Sequence, residues 1–216
     1  MKSVLLIGLG RFGRHIAMKL NEMNYEVLAV DAQEEEVNDI LPYVTTALIG
    51  DSTNEKFIAS LGVRNFDVCI VAIGDNFLST LETTSLLKEN GAKFVVARAS
   101  RDTHAKFLRR NGADDVVYPE KQMAIWTAVR YGVERVLDYV ELNREYSMFE
   151  TELPHSWVGK NLIELQVRQK YKINVIAIKH MGEWEPTPDP NHKFEPGETI
   201  LIMGNQKNIV KFLQLD

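Results

Sequence analysis

The stretch that most constrains this chain is Val4-Leu5-Leu6-Ile7-Gly8-Leu9-Gly10-Arg11-Phe12-Gly13. A short run of strand-forming apolar residues leads directly into Gly-x-Gly-x-x-Gly, and a helical pattern follows from about Phe12 to Asn24. Strand, tight turn and helix N-terminus in that order make a mononucleotide-binding β-α-β unit. Gly8 takes backbone angles that other residues avoid, Gly10 lets a phosphate approach the main chain, and Gly13 lets the helix lie close to the strand. The unpaired N–H groups of the first helical turn then face an anion. A second strand, Tyr25 to Val30, leads into Asp31. That aspartate lies ~20 residues beyond the glycines, where a carboxylate meets a ribose diol.

The alternation of short strands and helices continues. Strands are expected at 46–49, 68–72, 94–97 and 116–118, and helices at 34–41, 54–61, 77–90 and 103–111. Pro42, Gly62, Gly91 and Gly112 close those helices. Val68-Cys69-Ile70-Val71-Ala72 is wholly apolar, as a central parallel strand buried on both faces should be. Gly74-Asp75-Asn76 turns the chain into the next helix. Residues 1–118 therefore read as an α/β domain with a Rossmann-like, doubly wound parallel sheet.

Pro119 begins something different. A helical pattern runs from Glu120 to about Leu142, so residues 119–143 are expected to form a long crossover helix, with Gly132 marking a kink or a close helix contact. Its apolar face is wider than packing on one surface needs. Two readings fit: a last helix on its own sheet, or an exchanged helix that crosses to another subunit. From Arg144 the texture changes again. Tyr146 to Leu153 alternates as a strand does, 161–169 reads as a short helix, and 174–179 and 199–203 as strands. A proline-rich loop spans 183–196 and a last helix 205–213. Residues 144–216 thus form a small α+β lobe that would gain stability by pairing with another copy.

Composition excludes several classes. The net charge of −5 and the lack of a basic block argue against nucleic acid. The longest apolar runs fall well short of a membrane span, and no charged-then-apolar leader opens the chain, so it is expected to be cytoplasmic. Cys69, the one cysteine, lies inside an apolar strand with nothing nearby to stabilise a thiolate.

Ligands of doubly wound folds sit at the carboxyl ends of the strands. Here those ends are Gly8 to Gly13, Asp31, Asp51-Ser52-Thr53, Ala72-Ile73-Gly74 with Asn76, and Arg98. Asp31 is expected to hold the ribose and Asp51, Ser52 or Thr53 to meet the base, with the backbone after Ala72 closing over the ligand. Arg11 follows the second glycine and adds a fixed charge whose planar fork suits phosphate oxygens. A surface arginine pointing to water is the plainer alternative. No general acid or base is presented by the small lobe, the five histidines are scattered, and no Walker lysine follows a glycine loop. The chain therefore reads as a protein that binds a nucleotide and reports it, rather than an enzyme. The competing class is a small NAD-dependent oxidoreductase, which the glycine fingerprint with Asp31 favours. A redox-sensing transcription regulator would need a helix-turn-helix segment, and none is legible.

Taken together, Ile7-Gly8-Leu9-Gly10-Arg11-Phe12-Gly13, Val30-Asp31, Val71-Ala72-Ile73-Gly74, Gly112-Ala113-Asp114 and Tyr118-Pro119-Glu120-Lys121 resemble the RCK family, the cytoplasmic regulators of Ktr and Trk potassium-uptake systems. The likeness continues through Trp157-Val158-Gly159-Lys160-Asn161-Leu162, Val167-Arg168 and Gly197-Glu198-Thr199-Ile200-Leu201, and so covers essentially the whole chain. It implies homodimers assembled into an octameric ring, a gating ring docked on the inner face of the membrane under a potassium-translocating pore subunit. It implies ATP or ADP as ligand, with NAD or NADH for Trk-type members, and ATP favouring flux while ADP closes it. By resemblance Arg11 reaches the terminal phosphate, in its own or the neighbouring subunit's site, Asp31 holds the ribose, and Glu120 bridges subunits through a divalent or monovalent cation. Ile163, Arg168, Asn174 and Val175 match a cyclic di-AMP site. One departure is Arg14, where a small residue is expected: spacing favours the exposed side of the helix, but a second positive charge beside the phosphates would alter nucleotide preference.

Overall fold

The computed structural model describes residues 2–74, 76–143 and 145–215; the expected turn residue Asp75 and the expected lobe boundary at Arg144 lie outside the described residues. The chain divides into two compact units, Met1–Lys121 and Gln122–Asp216.

The first unit runs β1 (Ser3–Ile7), α1 (Arg11–Glu22), β2 (Glu26–Asp31), α2 (Glu34–Ile40), β3 (Thr46–Ile49), α3 (Glu55–Ser60), β4 (Val68–Val71), α4 (Phe77–Glu89), β5 (Val95–Arg98), α5 (Asp102–Arg110) and β6 (Asp115–Val117). Its six strands are parallel in the order β3-β2-β1-β4-β5-β6. This is the expected doubly wound sheet, and the order reverses between β1 and β4, which makes that point the crevice. Alternate residues of a strand face opposite sides. Leu5 and Ile7 therefore enter one core with Val30, Cys69, Val71 and Val95, while Leu6 joins Ala17, Val27, Val37 and Ile40 in the other. With both faces covered, β1 needs apolar residues at each position from Val4 to Ile7, each buried aliphatic contributing about 1.5–3 kcal/mol. Burial pushes the Cys69 thiol up to about 12, so no thiolate forms at neutral pH.

Asp114 ties β6 back to its neighbours. Its Oδ2 accepts from the Val95 backbone N–H at 2.7 Å and from Lys88 Nζ at 2.7 Å. Burial pushes this carboxyl up, but the Lys88 and Val95 bonds outweigh it and hold it below the usual carboxylate range. A depressed folded-state pKa stabilises the fold above the unfolded value of ~3.9, and that contribution is lost as pH falls through the folded value. Asp114→Asn is thus expected to cost about 1 kcal/mol at pH 7, allowing for partial exposure. The gap between the urea midpoints of mutant and wild type should close as the pH approaches the folded-state value from above. A gap independent of pH would show that the charge is not what matters.

The next helix, α6 (Pro119–Gly132), is shorter than expected. It ends at Gly132 rather than Leu142, so the crossover-helix reading of 119–143 holds only for its first part. Arg135 turns the chain with φ 65°, and Val136–Glu141 forms β7, paired antiparallel with β8 (Tyr146–Glu152). Val136 and Tyr139 are both buried, a spacing of three that reads as helical. A bulge between Val136 and Asp138 brings them to one face of a strand instead. β7 belongs to the small lobe's sheet, so that lobe begins before residue 144.

The second unit continues with α7 (Leu162–Leu165), α8 (Val167–Tyr171), β9 (Ile173–His180), β10 (Glu183–Glu185), β11 (Thr199–Asn205) and α9 (Gln206–Leu213). Its antiparallel sheet has the order β10-β9-β11-β8-β7. Ser147, Phe149 and Thr151 are the buried face of β8, as the alternation requires. The helix expected over 161–169 is broken at Gln166, which adopts φ 49° and separates α7 from α8. Trp157, Phe194 and Phe212 fill the core beneath the sheet. Among the described residues no helix is long and apolar enough to cross a membrane.

Candidate functional site

A cavity of about 570 Å³ opens at the carboxyl edge of the first unit's sheet. Gly8, Gly10, Arg11, Asp31, Asp51, Ser52, Thr53, Ala72, Ile73, Gly74, Asn76 and Arg98 all line it. Thus residues from five separate strand ends, spread over some ninety positions of sequence, converge as expected.

The glycine loop is built against β2 and β4. Gly8 adopts φ 94° and donates its N–H to the Val30 carbonyl at 2.9 Å. A Cβ at Gly8 would lie 2.8 Å from the Ile73 nitrogen. Gly13 packs so closely that a Cβ there would run into the Gly8 carbonyl. It does not line the cavity; its task is to seat α1 against β1. Gly10 begins α1 with no side-chain cap and no acidic residue in the first turn, so the helix N-terminus carries uncompensated positive potential.

The Asp31 carboxylate braces this loop. Oδ2 accepts from the Leu9 N–H at 2.7 Å and Oδ1 from the Gln33 N–H at 2.9 Å. Each oxygen keeps a lone pair for a ribose hydroxyl. Asp51 forms a local turn in which the Thr53 hydroxyl and N–H both donate to Oδ1, at 2.7 and 2.9 Å. Those bonds hold the Asp51 carboxyl below its usual range. The Ser52 hydroxyl is buried against Thr83 at 2.8 Å, so it is the least available of the three expected base contacts. Asn76, also in the lining, caps α4, its side-chain oxygen accepting from the Ser79 N–H at 3.1 Å.

The arginines separate by partner. Arg14 is not beside the phosphate loop as a free charge: it bonds Glu36 at 2.9 Å and Asp39 at 3.2 Å, on α2. The Glu36 hydrogen bond leads in raising its pKa further. Of the two readings of Arg14, the geometry favours the side of the helix away from the glycine loop, where α2 supplies two carboxylates in reach. Arg11 lines the cavity and is exposed. Arg98 is the arginine with a built environment. Its guanidinium pairs with Glu120, lies 5.4 Å from the centre of the Phe12 ring, and crosses Gly74, where a Cβ would be 2.7 Å from Nη1. Phe12 therefore serves as a platform for Arg98, outside the cavity lining.

Glu120 stands in the first turn of α6. Burial pushes its carboxyl up, but its own backbone N–H and the Arg98 guanidinium, with Arg11 beyond, bring it below the ordinary range. Among the described residues no group of three or more His, Cys, Asp or Glu gathers as a metal cage. A lone carboxylate already matched by a guanidinium does not fit a cation held within one chain.

Ile7, Ala32, Gln33, Glu36, Gly50 and Ser79 also line the cavity. Ala32, Gln33 and Gly50 adjoin predicted strand ends and were within reach of that signal; Glu36 and Ser79 arrive from helices, where only packing decides. In the second unit, Ile163 and Arg168 are exposed on α7 and α8, Asn174 is exposed on β9, and Val175 packs against the core. A larger cavity there, about 830 Å³, has apolar walls from Val129, Tyr139, Phe149 and Leu213 and no glycine loop.

Comparison with known proteins finds relatives along essentially the whole chain. The TrkA-N domain family matches residues 4–119 and the TrkA-C domain family residues 148–215. The chain is 41% identical over 211 residues to the Ktr system potassium uptake protein A of Bacillus subtilis (strain 168), covering 98% of this chain and 95% of that protein. The fold is that of the GsuK channel, with TM-score 0.72 at 16% identity over 99% of this chain and 39% of that one. The same channel solved bound to NAD aligns with TM-score 0.69 at 15% identity, over 96% and 38% of the chains. Bound to ADP, it aligns with TM-score 0.53 at 17% identity, over 60% and 34%. The chain spans less than half the length of these channel chains.

Proposed function

The chain belongs to the RCK family of TrkA-N/TrkA-C potassium-uptake proteins, and on that premise we propose that it is the nucleotide-sensing regulatory subunit of a Ktr-type potassium uptake system. It works without catalysis. The observation that carries this reading is the cavity in which the glycine loop, Asp31 and Arg11 converge at the sheet's switch point. ATP and ADP are the ligands expected to matter, with NAD or NADH as the competitor, since the similar GsuK channel has been solved with NAD and with ADP. The partner is a potassium-translocating pore subunit in the membrane, and this chain lies against its cytoplasmic side.

Gating requires that two ring shapes bind ATP and ADP with different affinity, for a ligand that binds both equally shifts nothing. Arg11 supplies the difference by meeting the terminal phosphate. Assembly into dimers, and of dimers into an octameric ring, is supported by apolar surface left open in the second unit, where Ile125, Val133 and Val210 are exposed around its cavity. Ile163, Arg168, Asn174 and Val175 are the residues proposed to take cyclic di-AMP across two paired lobes, with Arg168 on a phosphate.

Arg11→Ala is expected to weaken ATP about 10-fold or more while ADP loses less, the size of a lost charge-assisted hydrogen bond. Calorimetric titration of the purified protein with ATP, ADP and NADH, alongside light scattering, checks both ligand and assembly. Equal losses for ATP and ADP would remove Arg11 from the discriminating role. A monomer that prefers NADH and ignores ATP would sink the gating-ring reading.

A further inference from the structure

Arg98 and Glu120 carry more than a surface ion pair. Arg98 closes β5, and its side chain is only 18% exposed. Its guanidinium offers five donors. The Glu120 bond engages Nη2, while Nε is buried without a partner among the described residues. Nη1 passes over Gly74, the cavity-lining residue whose missing Cβ gives it room. Arg98 itself lines the cavity, between Phe12 on one side and Glu120 on the other. A guanidinium so placed, with donors to spare and a single carboxylate partner, can also meet an anion in the cavity. Glu120 is 55% exposed, so its hold on Arg98 is weakened by solvent and open to competition.

We propose that nucleotide phosphate and the Glu120 carboxylate compete for the Arg98 guanidinium, so that phosphate binding at the glycine loop loosens the first turn of α6. The proposal rests on the reading of this cavity as a nucleotide site and adds the device that passes occupancy onward. Glu120 lies in the first unit and α6 continues into the second, so a carboxylate released by Arg98 is released at the head of the connecting helix. The competition opposes binding: part of the phosphate's gain is spent separating Arg98 from Glu120.

A double-mutant cycle tests it, with ATP and ADP titrated into wild type, Glu120→Gln, Arg98→Ala and the double variant, each checked by thermal unfolding. Glu120→Gln is expected to bind ATP roughly 2- to 5-fold tighter, the size of a partly exposed ion pair. Arg98→Ala should bind about 10-fold weaker. The gain from Glu120→Gln should vanish when Arg98 is already alanine. Arg98→Lys, which keeps the charge, should retain part of the gain and so stands in if the alanine variant fails to fold. A gain undiminished in the Arg98→Ala background would mean that Glu120 simply repels phosphate, and no gain at all in Glu120→Gln would mean no competition; either result overturns the proposal. Failure of the nucleotide reading itself looks different: wild type would bind neither nucleotide.

Discussion

Gly13→Ala is expected to abolish the nucleotide binding proposed for the first unit and to lower its stability by about 3 kcal/mol, the upper range of overpacking costs. The reason is geometric. A Cβ at Gly13 would overlap the Gly8 carbonyl oxygen, and would also lie 2.9 Å from the Gly8 carbonyl carbon and 3.4 Å from Ala72 Cβ. The loop has no slack to give. Gly8 is held by its bond to the Val30 carbonyl and pressed against the Ile73 backbone, and Asp31 clamps the Leu9 N–H. The only relief is for α1 to tilt away from β1, which spoils both the core and the placement of the N–H groups at the head of α1. Gly10→Ala is the control. Nothing lies within 4 Å of its added Cβ, so it should leave the urea midpoint unchanged while crowding the phosphate. If Gly13→Ala unfolds at the wild-type midpoint, the close seating of α1 is not what the third glycine provides.

The second large effect lies in the other unit. Trp157→Ala should cost about 3–5 kcal/mol, the range for removing a buried aromatic side chain. Trp157 is 1% exposed, and its ring centroid lies 5.2 Å from that of Phe212 and 5.7 Å from those of Tyr171 and Phe194. Its Nε1 has no hydrogen-bond partner among the described residues, so the loss is one of packing and Trp157→Phe should restore much of it. Phe194 comes from the proline-rich loop, pinned by backbone bonds between Phe194 and Lys160 at 3.0 Å and between Gly159 and Phe194 at 2.8 Å. Losing Trp157 should therefore release that loop as well, visible as lost near-ultraviolet circular dichroism. An alanine variant with wild-type near-ultraviolet signal and midpoint would show that the aromatic cluster does not organise this lobe.

Much of the site was legible because its signals are local. Gly8 and Gly13 are required by backbone approach, and Asp31 ends, while Asp51 and Gly74 follow, a strand whose apolar run is visible in the sequence. Arg11 and Arg98 were legible as candidates, but the partners of the arginines were not. Arg14, three residues beyond Arg11, is one turn along the same helix, and spacing alone leaves it either near the loop or on the exposed side. Glu36 and Asp39 on α2 draw Arg14 away. Arg98 gains its importance from Phe12, Gly74 and Glu120, which are distant in sequence and meet only when β1, β4, β5 and α6 are assembled.

The same division holds for the fold. The run of short apolar strands separated by capped helices determined a parallel, doubly wound sheet, because a strand buried on both faces and a helix with one apolar stripe each leave a periodic mark. That mark fails where two structures share a spacing. Val136 and Tyr139, three apart, satisfy a helix, and they equally satisfy a strand once a bulge shifts the register. Pairing with β8 chose the strand, through backbone hydrogen bonds to a partner that no local window contains. Tertiary contact likewise decided which groups Arg14 and Arg98 meet, since a guanidinium at the end of a long flexible stem goes where the carboxylates and ring faces of the folded chain place it.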